Sequence, residues 1–341
     1  MPVCEGITEF TYICALNMGL TLDTIKQPVA AEIEEFEKHF RNSVRTNVAL
    51  LDKIMFYIVK RKGKQIRPLF VFLCAKAAGK ISERTHVAAS LVELLHTASL
   101  VHDDVVDDAK TRRGIASINA VWKNKVSVLI GDYLLSKGLL LSLENNEYDF
   151  LQLTSEAVRR MSEGELLQIQ KARNFDATEE TYFRVISDKT ASLIKTCCKL
   201  GALSTAKDKT NVDKLGVFGE NIGIAFQIRD DILDYTGRKK LLGKSTGNDL
   251  KEKKFTLPLI VALRNAPKKR SAEIMKLIKS DRTRKFDEVY EFVIDNRGVE
   301  YAADKVIEYS DKAKNSLSDF KESNVKNSLV EFADFVSKRE Y

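Results

Sequence analysis

Residues 91–114 read LVELLHTASLVHDDVVDDAKTRRG, and this stretch decides how the rest of the chain is interpreted. Its apolar side chains recur at the three- and four-residue intervals of one helix face. They are Leu91, Leu94, Leu95, Ala98, Val101 and Val105. The same segment then carries four aspartates in close succession, namely Asp103, Asp104, Asp107 and Asp108. The spacing predicts a packed helix that carries an acidic cluster near its end.

Asp103 and Asp107 are four residues apart, so both carboxylates leave the same face of a helix. His96 and Ser99 precede them on that face. Two such charges about 5 Å apart repel by about 3 kcal/mol at an effective dielectric constant of about 20. A cleft lined by them needs cations, and oxygen ligands suit Mg²⁺ shared with phosphate oxygens. Taken alone, the cluster is equally typical of an exposed acidic helix end without a function.

A second segment, FQIRDDILDY at residues 226–235, repeats the D-D-x-x-D spacing with Asp230, Asp231 and Asp234. Gln227 lies one turn before Asp230, on the face that Asp230 shares with Asp234. Two copies inside apolar helical segments are a far stronger indication of function than one copy. We predict that the two helices oppose their carboxylates across a cleft that holds divalent ions and a diphosphate.

With these segments in view, the chain resembles the all-trans polyprenyl diphosphate synthases, which extend an allylic diphosphate with isopentenyl diphosphate. The resemblance runs from about residue 26 onward, and seven motifs stand in family order. They are GKQIRP (63–68), LVHDDVVDDAKTRRG (100–114), GDYLL (131–135), GELLQ (164–168), DKT (188–190), FQIRDDILDY (226–235) and GKSTGNDLKEKKFTLPLI (243–260).

The resemblance implies an all-α fold of the isoprenoid synthase type I class, a single-domain bundle of antiparallel helices around a central cavity. The low proline and glycine content, 5 and 16 residues, also favours long helices. Residues 21–341 are expected to form the catalytic domain, whereas residues 1–20 match nothing in the family and stay unassigned. Individual helices are expected over 30–59 with a break near 42–47, from Gly131 to about Leu143, and over 181–203 and 213–234.

The resemblance also implies the site residues. Mg²⁺ would be the cofactor, bound by six carboxylates: Asp103, Asp104, Asp107, Asp230, Asp231 and Asp234. Isopentenyl diphosphate would be bound by Lys64, Arg67, His96 and Arg113. The allylic substrate would be bound by Arg112, Lys189, Thr190, Gln227, Lys244 and Lys254. Catalysis would rest on Asp103, Asp107, Arg112, Lys189, Thr190, Gln227, Asp230 and Lys244. Without the resemblance, Lys64 and Arg67 would be interpreted as a solvated loop, and His96 as a core residue.

Product length is expected to depend on the residues that precede Asp103 by four and five positions. These are Ser99 and Ala98, and both are small. Members of the family that stop at a short product commonly carry aromatic residues there. We therefore predict a long-chain product, longer than geranylgeranyl, for example for a quinone side chain. A shorter-chain synthase making a geranylgeranyl or farnesyl product is the alternative.

The composition limits the kinds of partner that the protein is expected to bind. The net charge of +7 comes without a basic patch interleaved with aromatic residues, so the basic groups indicate anionic substrates rather than nucleic acid. The five cysteines include no C-x-x-C pair and are interpreted as reduced thiols of a cytoplasmic protein. The sequence contains no run of about 18 uncharged apolar residues, so we predict no transmembrane helix. The family implies a homodimer, for which the apolar residues 119–141 are candidates.

Two other classes remain as alternatives. A class I terpene cyclase also uses an aspartate-rich helix, but it usually carries an N-S-E-type second metal motif and does not need Lys64 and Arg67. A non-catalytic subunit of a heteromeric prenyltransferase typically loses aspartates, whereas this chain keeps both sets.

Overall fold

The computed structural model describes residues 21–60, 63–112, 114–205, 208–236, 254–279 and 286–338. The unassigned residues 1–20 and the glycine-rich segment from Gly237 to Asp249 lie outside these ranges. The described residues form an almost entirely helical bundle, which confirms the predicted fold class. The first half contains α1 Leu22–Lys26, a 3₁₀ turn Gln27–Val29, α2 Ala30–Ser43, α3 Ala49–Val59, α4 Ile66–Ala78, α5 Glu83–Val106 and α6 Ile118–Glu144.

The second half continues with helices on both sides of a short π-helical turn. They are α7 Tyr148–Asn174, α8 Glu179–Ile186, the π turn Ser187–Ala191, α9 Ser192–Leu203, α10 Lys209–Thr236, α11 Leu257–Asn265, α12 Lys268–Lys279, α13 Phe286–Asp295, α14 Gly298–Asn315 and α15 Asn324–Lys338. The two-residue strands β1 Thr111–Arg112 and β2 Ile115–Ala116 form an antiparallel hairpin between α5 and α6.

Helix α5 is the central helix of the half that carries the first aspartate motif. A capping box stabilises its start: the Ser82 hydroxyl accepts from the backbone N–H of Thr85, and the Thr85 hydroxyl accepts from the backbone N–H of Ser82. These bonds satisfy backbone donors that have no partner within the helix. The helix packs along α6, and the two share a buried apolar cluster with α3. Because the surrounding helices cover most of α5, its carboxylate-bearing end is fixed in position relative to the core.

Helix α10 carries the second aspartate motif, and it packs against α9 on one side and α14 on the other. The main hydrophobic core spans α4, α9 and α10. A further cluster joins Tyr235, at the end of α10, to α11, α12 and α13. Cys74, Cys197 and Cys198 are buried free thiols of the main core, in agreement with the prediction of reduced core cysteines.

The structure defines one helix end that the sequence left open, and it corrects one predicted helix start. Helix α5 ends at Val106, so Asp107 is its C-cap, and Asp108 lies beyond the helix in the left-handed region with φ 45°. Helix α6 begins at Ile118 rather than at Gly131, because the Ser117 hydroxyl accepts from the Ala120 backbone N–H and caps the earlier start. The predicted break near 42–47 is confirmed, since α2 ends at Ser43.

Helix α6 approaches α5 closely at Gly131. A Cβ built on Gly131 would lie 2.1 Å from Nε2 of His102, the residue directly before Asp103. Helix α6 is long and apolar enough to cross a bilayer by length and composition, a criterion that core helices of soluble proteins also meet. In this structure α6 packs along α5, and Gly131 of α6 lies against His102 near the C-terminal end of α5.

Candidate active site

The first aspartate motif lies where α5 ends. The backbone N–H of Asp107 donates to the carbonyl oxygen of Asp103, 2.9 Å away, so both residues still follow the helical path. Burial raises the pKa of the Asp103 carboxyl. Lys189 and Arg112 are close enough to lower that pKa, whereas Glu165 and Asp107 raise it further. Asp103 therefore lies among two cations and two other carboxylates.

Asp104, the second residue of this motif, points into the protein. Its side chain is 3% exposed, and its Oδ1 accepts a hydrogen bond of 2.6 Å from Nε of Arg112. Strand β1 presents Arg112, so the short hairpin after α5 supplies the partner of the buried carboxylate. The amide of Asn119 donates to the backbone oxygen of Asp104 at 3.3 Å. Arg112 and the start of α6 thus hold the end of α5.

The second aspartate motif lies inside the last turns of α10, which continues to Thr236. Asp231 is 4% exposed, and both of its carboxylate oxygens are hydrogen bonded. Oδ2 accepts from the Tyr182 hydroxyl at 2.6 Å, and Oδ1 accepts from Nε2 of Gln227 at 2.8 Å. Asp230 and Asp234 are partly exposed and occupy i,i+4 positions of the same helix.

The π turn Ser187–Ala191 connects the two motifs. Its Lys189 forms an ion pair with Glu165 of α7 and lies close enough to Asp103 to lower its pKa. Its Thr190 donates from Oγ1 to Oε1 of Gln227 at 2.8 Å. Because Gln227 also bonds Asp231, one helical turn contacts the surroundings of both aspartate motifs. Single π turns inside α-helices occur frequently at functional sites.

Two cavities flank this arrangement. One is lined by residues predicted to bind the allylic substrate, namely Lys189, Thr190, Gln227 and Lys254, and also by Asp231 and Tyr182. The other is lined by Gly63, Gln65, His96, Asp104 and Arg112. Lys64 lies between Gly63 and Gln65 on the loop before α4 and is exposed. Arg67 is half-buried in the first turn of α4.

The described members of the predicted binding set thus lie around two cavities. Arg112, predicted to contact the allylic diphosphate, lines the cavity that also contains His96 and Asp104, and its assignment to one substrate stays a prediction. Arg113 and Lys244, the remaining predicted cations, lie outside the described residues.

The two small residues before Asp103 have different surroundings. Ala98 is 3% exposed and belongs to the apolar cluster that contains Leu94, Ile130 and Leu134. Ser99 is half-buried, and its hydroxyl donates to the backbone oxygen of His96 at 2.9 Å. Ala98 is therefore surrounded by close neighbours on α5 and α6. The assignment of Ala98 and Ser99 as the wall that sets product length stays a prediction.

The carboxylates fit a divalent cation that is shared with substrate rather than held by the protein alone. Across the described ranges, no group of three or more His, Cys, Asp or Glu side chains is arranged to hold a metal ion. Mg²⁺ usually keeps several waters and binds one or two carboxylates together with substrate phosphates. Asp103, whose charged form is disfavoured by burial and by nearby carboxylates, has the donor chemistry for such a shared ion.

Sequence reasoning missed Tyr182 and Glu165. Tyr182 is 49 residues from Asp231 along the chain, and nothing in its local pattern indicates that contact. Glu165 stands in the GELLQ motif quoted above, so the motif could have identified it, although its ion pair with Lys189 follows only from the packing of α7 on the π turn.

Comparison with known proteins gives consistent results. The polyprenyl synthetase family profile matches residues 48–293. Octaprenyl diphosphate synthase of Haemophilus influenzae is 32% identical over 94% of this chain and 98% of its own length. The structure of a polyprenyl synthase from Caulobacter crescentus superposes with a TM-score of 0.88 at 31% identity, covering 94% of this chain and 98% of the other. The structure of geranylgeranyl pyrophosphate synthase from Bacteroides thetaiotaomicron gives a TM-score of 0.80 at 39% identity, covering 93% and 99%.

Proposed function

Because this chain belongs to the polyprenyl synthetase family and is a trans-prenyltransferase, we propose that it condenses isopentenyl diphosphate with an allylic diphosphate into a long-chain all-trans polyprenyl diphosphate. The family membership confirms the resemblance inferred from the seven sequence motifs. A role in supplying a quinone side chain, in the cytoplasm, completes the proposal. A shorter-chain product is the second candidate, and the 39% identity to a geranylgeranyl pyrophosphate synthase supports it.

The proposal rests mainly on the contacts of the π turn Ser187–Ala191. Lys189 places a cation beside Asp103, and Thr190 places a hydroxyl oxygen beside the Gln227 amide. Asp231 accepts from Nε2 of Gln227, so the amide oxygen of Gln227 faces Thr190. Lys189 thus supplies a cation for a diphosphate. Thr190 and Gln227, which contact each other, supply two oxygens for an electron-poor carbon. This arrangement suits the departure of a diphosphate from an allylic carbon.

The proposed metal ligands fall into two groups. Asp103, Asp107, Asp230 and Asp234 are partly or fully exposed, whereas Asp104 and Asp231 are buried beside Arg112 and Tyr182. We therefore expect the first group to contact Mg²⁺ and the buried pair to fix the two helix ends. When bound, Mg²⁺ would neutralise the negative charge of the substrate diphosphate.

The side chains then have distinct tasks. Lys189, Arg112 and Lys244 stabilise the diphosphate as the allylic C–O bond breaks, and Lys64, Arg67, His96 and Arg113 hold isopentenyl diphosphate. The double bond of isopentenyl diphosphate attacks the allylic carbon and forms the new C–C bond. A proton then leaves the resulting cation for the departing diphosphate, which restores a double bond. The products are the lengthened prenyl diphosphate and one diphosphate, and no protein nucleophile is needed.

The chain-length part of the proposal rests on Ala98 and Ser99. Aromatic residues at these positions would occupy space next to Asp103 that small residues leave to the growing prenyl chain. Each added isoprene unit buried there would gain about 4 kcal/mol at ~0.8 kcal/mol per methylene-sized group. Because Ala98 is closely packed, Ser99→Phe is the cleaner substitution for shortening the product.

Incubation of the purified protein with labelled isopentenyl diphosphate, farnesyl diphosphate and Mg²⁺ tests the proposal, with chromatography of the products. We expect products longer than geranylgeranyl, and no product after treatment with EDTA. A product that stops at geranylgeranyl would select the shorter-chain candidate. Failure to consume isopentenyl diphosphate with any allylic primer would refute the reaction itself.

We also propose a homodimer that forms through α6. This helix exposes a series of large apolar side chains: Val121, Val128, Leu129, Leu140 and Leu143. Sedimentation of Leu129→Glu tests the assignment, because a charge there would split a dimer that buries this face. Leu166→Glu is the matched control, since Leu166 is similarly exposed (67% against 59% for Leu129) but lies on α7. An intact Leu129→Glu dimer would place the interface elsewhere.

A further inference from the structure

Arg160 of α7 binds the side of the π turn from which Ser187 and Asp188 project. Its Nε donates to Oδ1 of Asp188 at 2.8 Å, and its Nη2 lies 2.8 Å from the same oxygen. Nη2 also donates to the Ser187 hydroxyl at 3.2 Å. The side chains of Arg160 and Asp188 are only 22% and 18% exposed, so solvent screens this ion pair less than a surface pair.

The surroundings bring α7 unusually close to the π turn. A Cβ built on Gly164, one turn after Arg160, would lie 3.0 Å from both Cβ of Asp188 and the backbone nitrogen of Lys189. A larger residue at this position would require the turn to shift by a few tenths of an ångström. The Ser192 hydroxyl donates to the Asp188 backbone oxygen at 2.6 Å, so the turn is also held from its C-terminal side.

Helix α10 contributes to the same cluster. Oε1 of Glu220 lies 3.8 Å from Nη2 of Arg160, and Oε2 of Glu220 accepts from Lys195 of α9 at 2.8 Å. Arg160 therefore stands where α7, the π turn and α10 meet. The residues that follow Asp188 in the turn are Lys189 and Thr190, whose side chains contact Glu165 and Gln227.

We propose that Arg160 is a positioning residue, which holds Ser187 and Asp188 so that the next two residues, Lys189 and Thr190, face the allylic substrate. The inference rests on the proposed prenyltransfer and extends it to residues that do not line the allylic cavity. A π turn contains one more residue than an α turn and is rare, so we expect contacts from neighbouring helices to stabilise it. Gln227 binds one side of the turn and Arg160 binds the other.

Arg160→Gln tests the proposal by steady-state kinetics in which each substrate is varied separately. Small displacements of positioned groups cost large factors in rate, so we expect kcat to fall by about tenfold or more. The KM for farnesyl diphosphate should rise by about fivefold or more for the same reason. The KM for isopentenyl diphosphate should change by less than about twofold, because the described proposed ligands, Lys64, Arg67 and His96, lie on α5, on α4 or on the loop before it, away from the π turn.

Arg159→Gln is the matched control, since Arg159 is the neighbouring arginine of α7. Its ion pair with Glu163 is on the surface, with side chains 60% and 56% exposed. Surface pairs of this kind contribute little, so this variant should keep the wild-type constants. Isothermal titration with a non-ionisable thio analogue of farnesyl diphosphate adds a readout besides activity. Arg160→Gln should bind the analogue more weakly, and Arg159→Gln should not.

Asp188→Asn provides a second variant of nearly unchanged shape, which keeps the test valid if Arg160→Gln fails to fold. In a double-mutant cycle, Arg160→Gln combined with Asp188→Asn should be no worse than the more impaired single variant. A folded Arg160→Gln or Asp188→Asn variant with a wild-type KM for farnesyl diphosphate would overturn the inference. A wild-type protein that consumes no isopentenyl diphosphate would instead refute the proposed reaction, so the two failures are distinguishable.

Discussion

The two aspartate motifs share a spacing but not a structural setting. The first lies at the end of α5, where Asp107 caps the helix and Asp108 has left the helical path. The second lies within α10, which continues beyond Asp234 to Thr236. The first motif is followed by a hairpin that returns Arg112 to Asp104, whereas Asp231 of the second is held by Tyr182 of α8 and by Gln227 of α10 itself.

The middle aspartate of each motif shows what this difference means. Asp104 is held by a cation, the Arg112 guanidinium, and Asp231 is held by two neutral donors, Tyr182 and Gln227. In both motifs this carboxylate is buried and accepts hydrogen bonds from protein groups. The same spacing therefore combines outer aspartates that are partly or fully exposed with an inner aspartate that is buried.

The largest expected effect concerns the outer aspartates. Asp103→Asn and Asp230→Asn should each lower kcat by about 10³-fold, because each removes a negative charge proposed to bind the metal–diphosphate group. Asp213→Asn on α10, an exposed residue paired with Lys199, serves as the control and should keep full activity. Initial rates with labelled isopentenyl diphosphate measure all three variants. Near wild-type activity of either motif variant would remove that motif from the proposed metal site.

A second pair of variants tests how each aspartate helix is packed. A Cβ on Gly223 of α10 would lie 2.5 Å from Cα of Ala191, so Gly223→Ala forces two backbones apart. A Cβ on Gly131 would instead meet the His102 ring, which can rotate away. We expect Gly223→Ala to cost about 3 kcal/mol of unfolding free energy and Gly131→Ala about 1 kcal/mol. Urea unfolding measures both, and equal costs would show that the two helices are packed with similar tolerance.

A third pair compares the partners of the middle aspartates. Arg112→Gln leaves the buried Asp104 carboxylate without its cation, and we expect a loss of about 2 kcal/mol, reduced because Arg112 is 34% exposed. Tyr182→Phe removes one hydrogen bond from Asp231 but leaves Gln227 in place, so about 1 kcal/mol is expected. Thermal unfolding of both variants measures the difference. A larger loss for Tyr182→Phe would mean that the neutral partners matter more for stability than the charged one.

These contrasts also mark what the sequence could and could not predict. The motif spacing placed Asp103 and Asp230 on helices, where the structure has them. The end of α5 was not predicted, because β1 and β2 are two residues each and too short for an alternating strand pattern. The contact between Tyr182 and Asp231 was not predictable either, since it depends on how α8 packs beside α10 rather than on any local spacing.

The smallest expected effect concerns the pH dependence of stability and belongs to the first motif. Burial raises the pKa of Asp103 above the ordinary carboxyl value of 3.8, so the native state binds a proton more readily than the unfolded state. The contribution of Asp103 to stability is therefore present below 3.8 and is lost as the pH rises through the raised native value. In metal-free buffer, Asp103→Asn should remove this loss, so the variant should be more stable than the wild type near neutral pH.

The control for this measurement has the opposite sign. The ion pair with Lys214 lowers the pKa of Asp319, so its contribution to stability is present above the ordinary carboxyl value and is lost as the pH falls. Asp319→Asn should therefore weaken the protein near neutral pH, although only slightly because the pair is on the surface. Urea unfolding between about pH 3 and about pH 7, a range that covers the titration of ordinary and raised carboxyls, compares the variants. If Asp103→Asn is no more stable than the wild type at neutral pH, the charge of Asp103 does not destabilise the folded protein. The same measurement on Asp230→Asn would then show whether the charge of the second motif does.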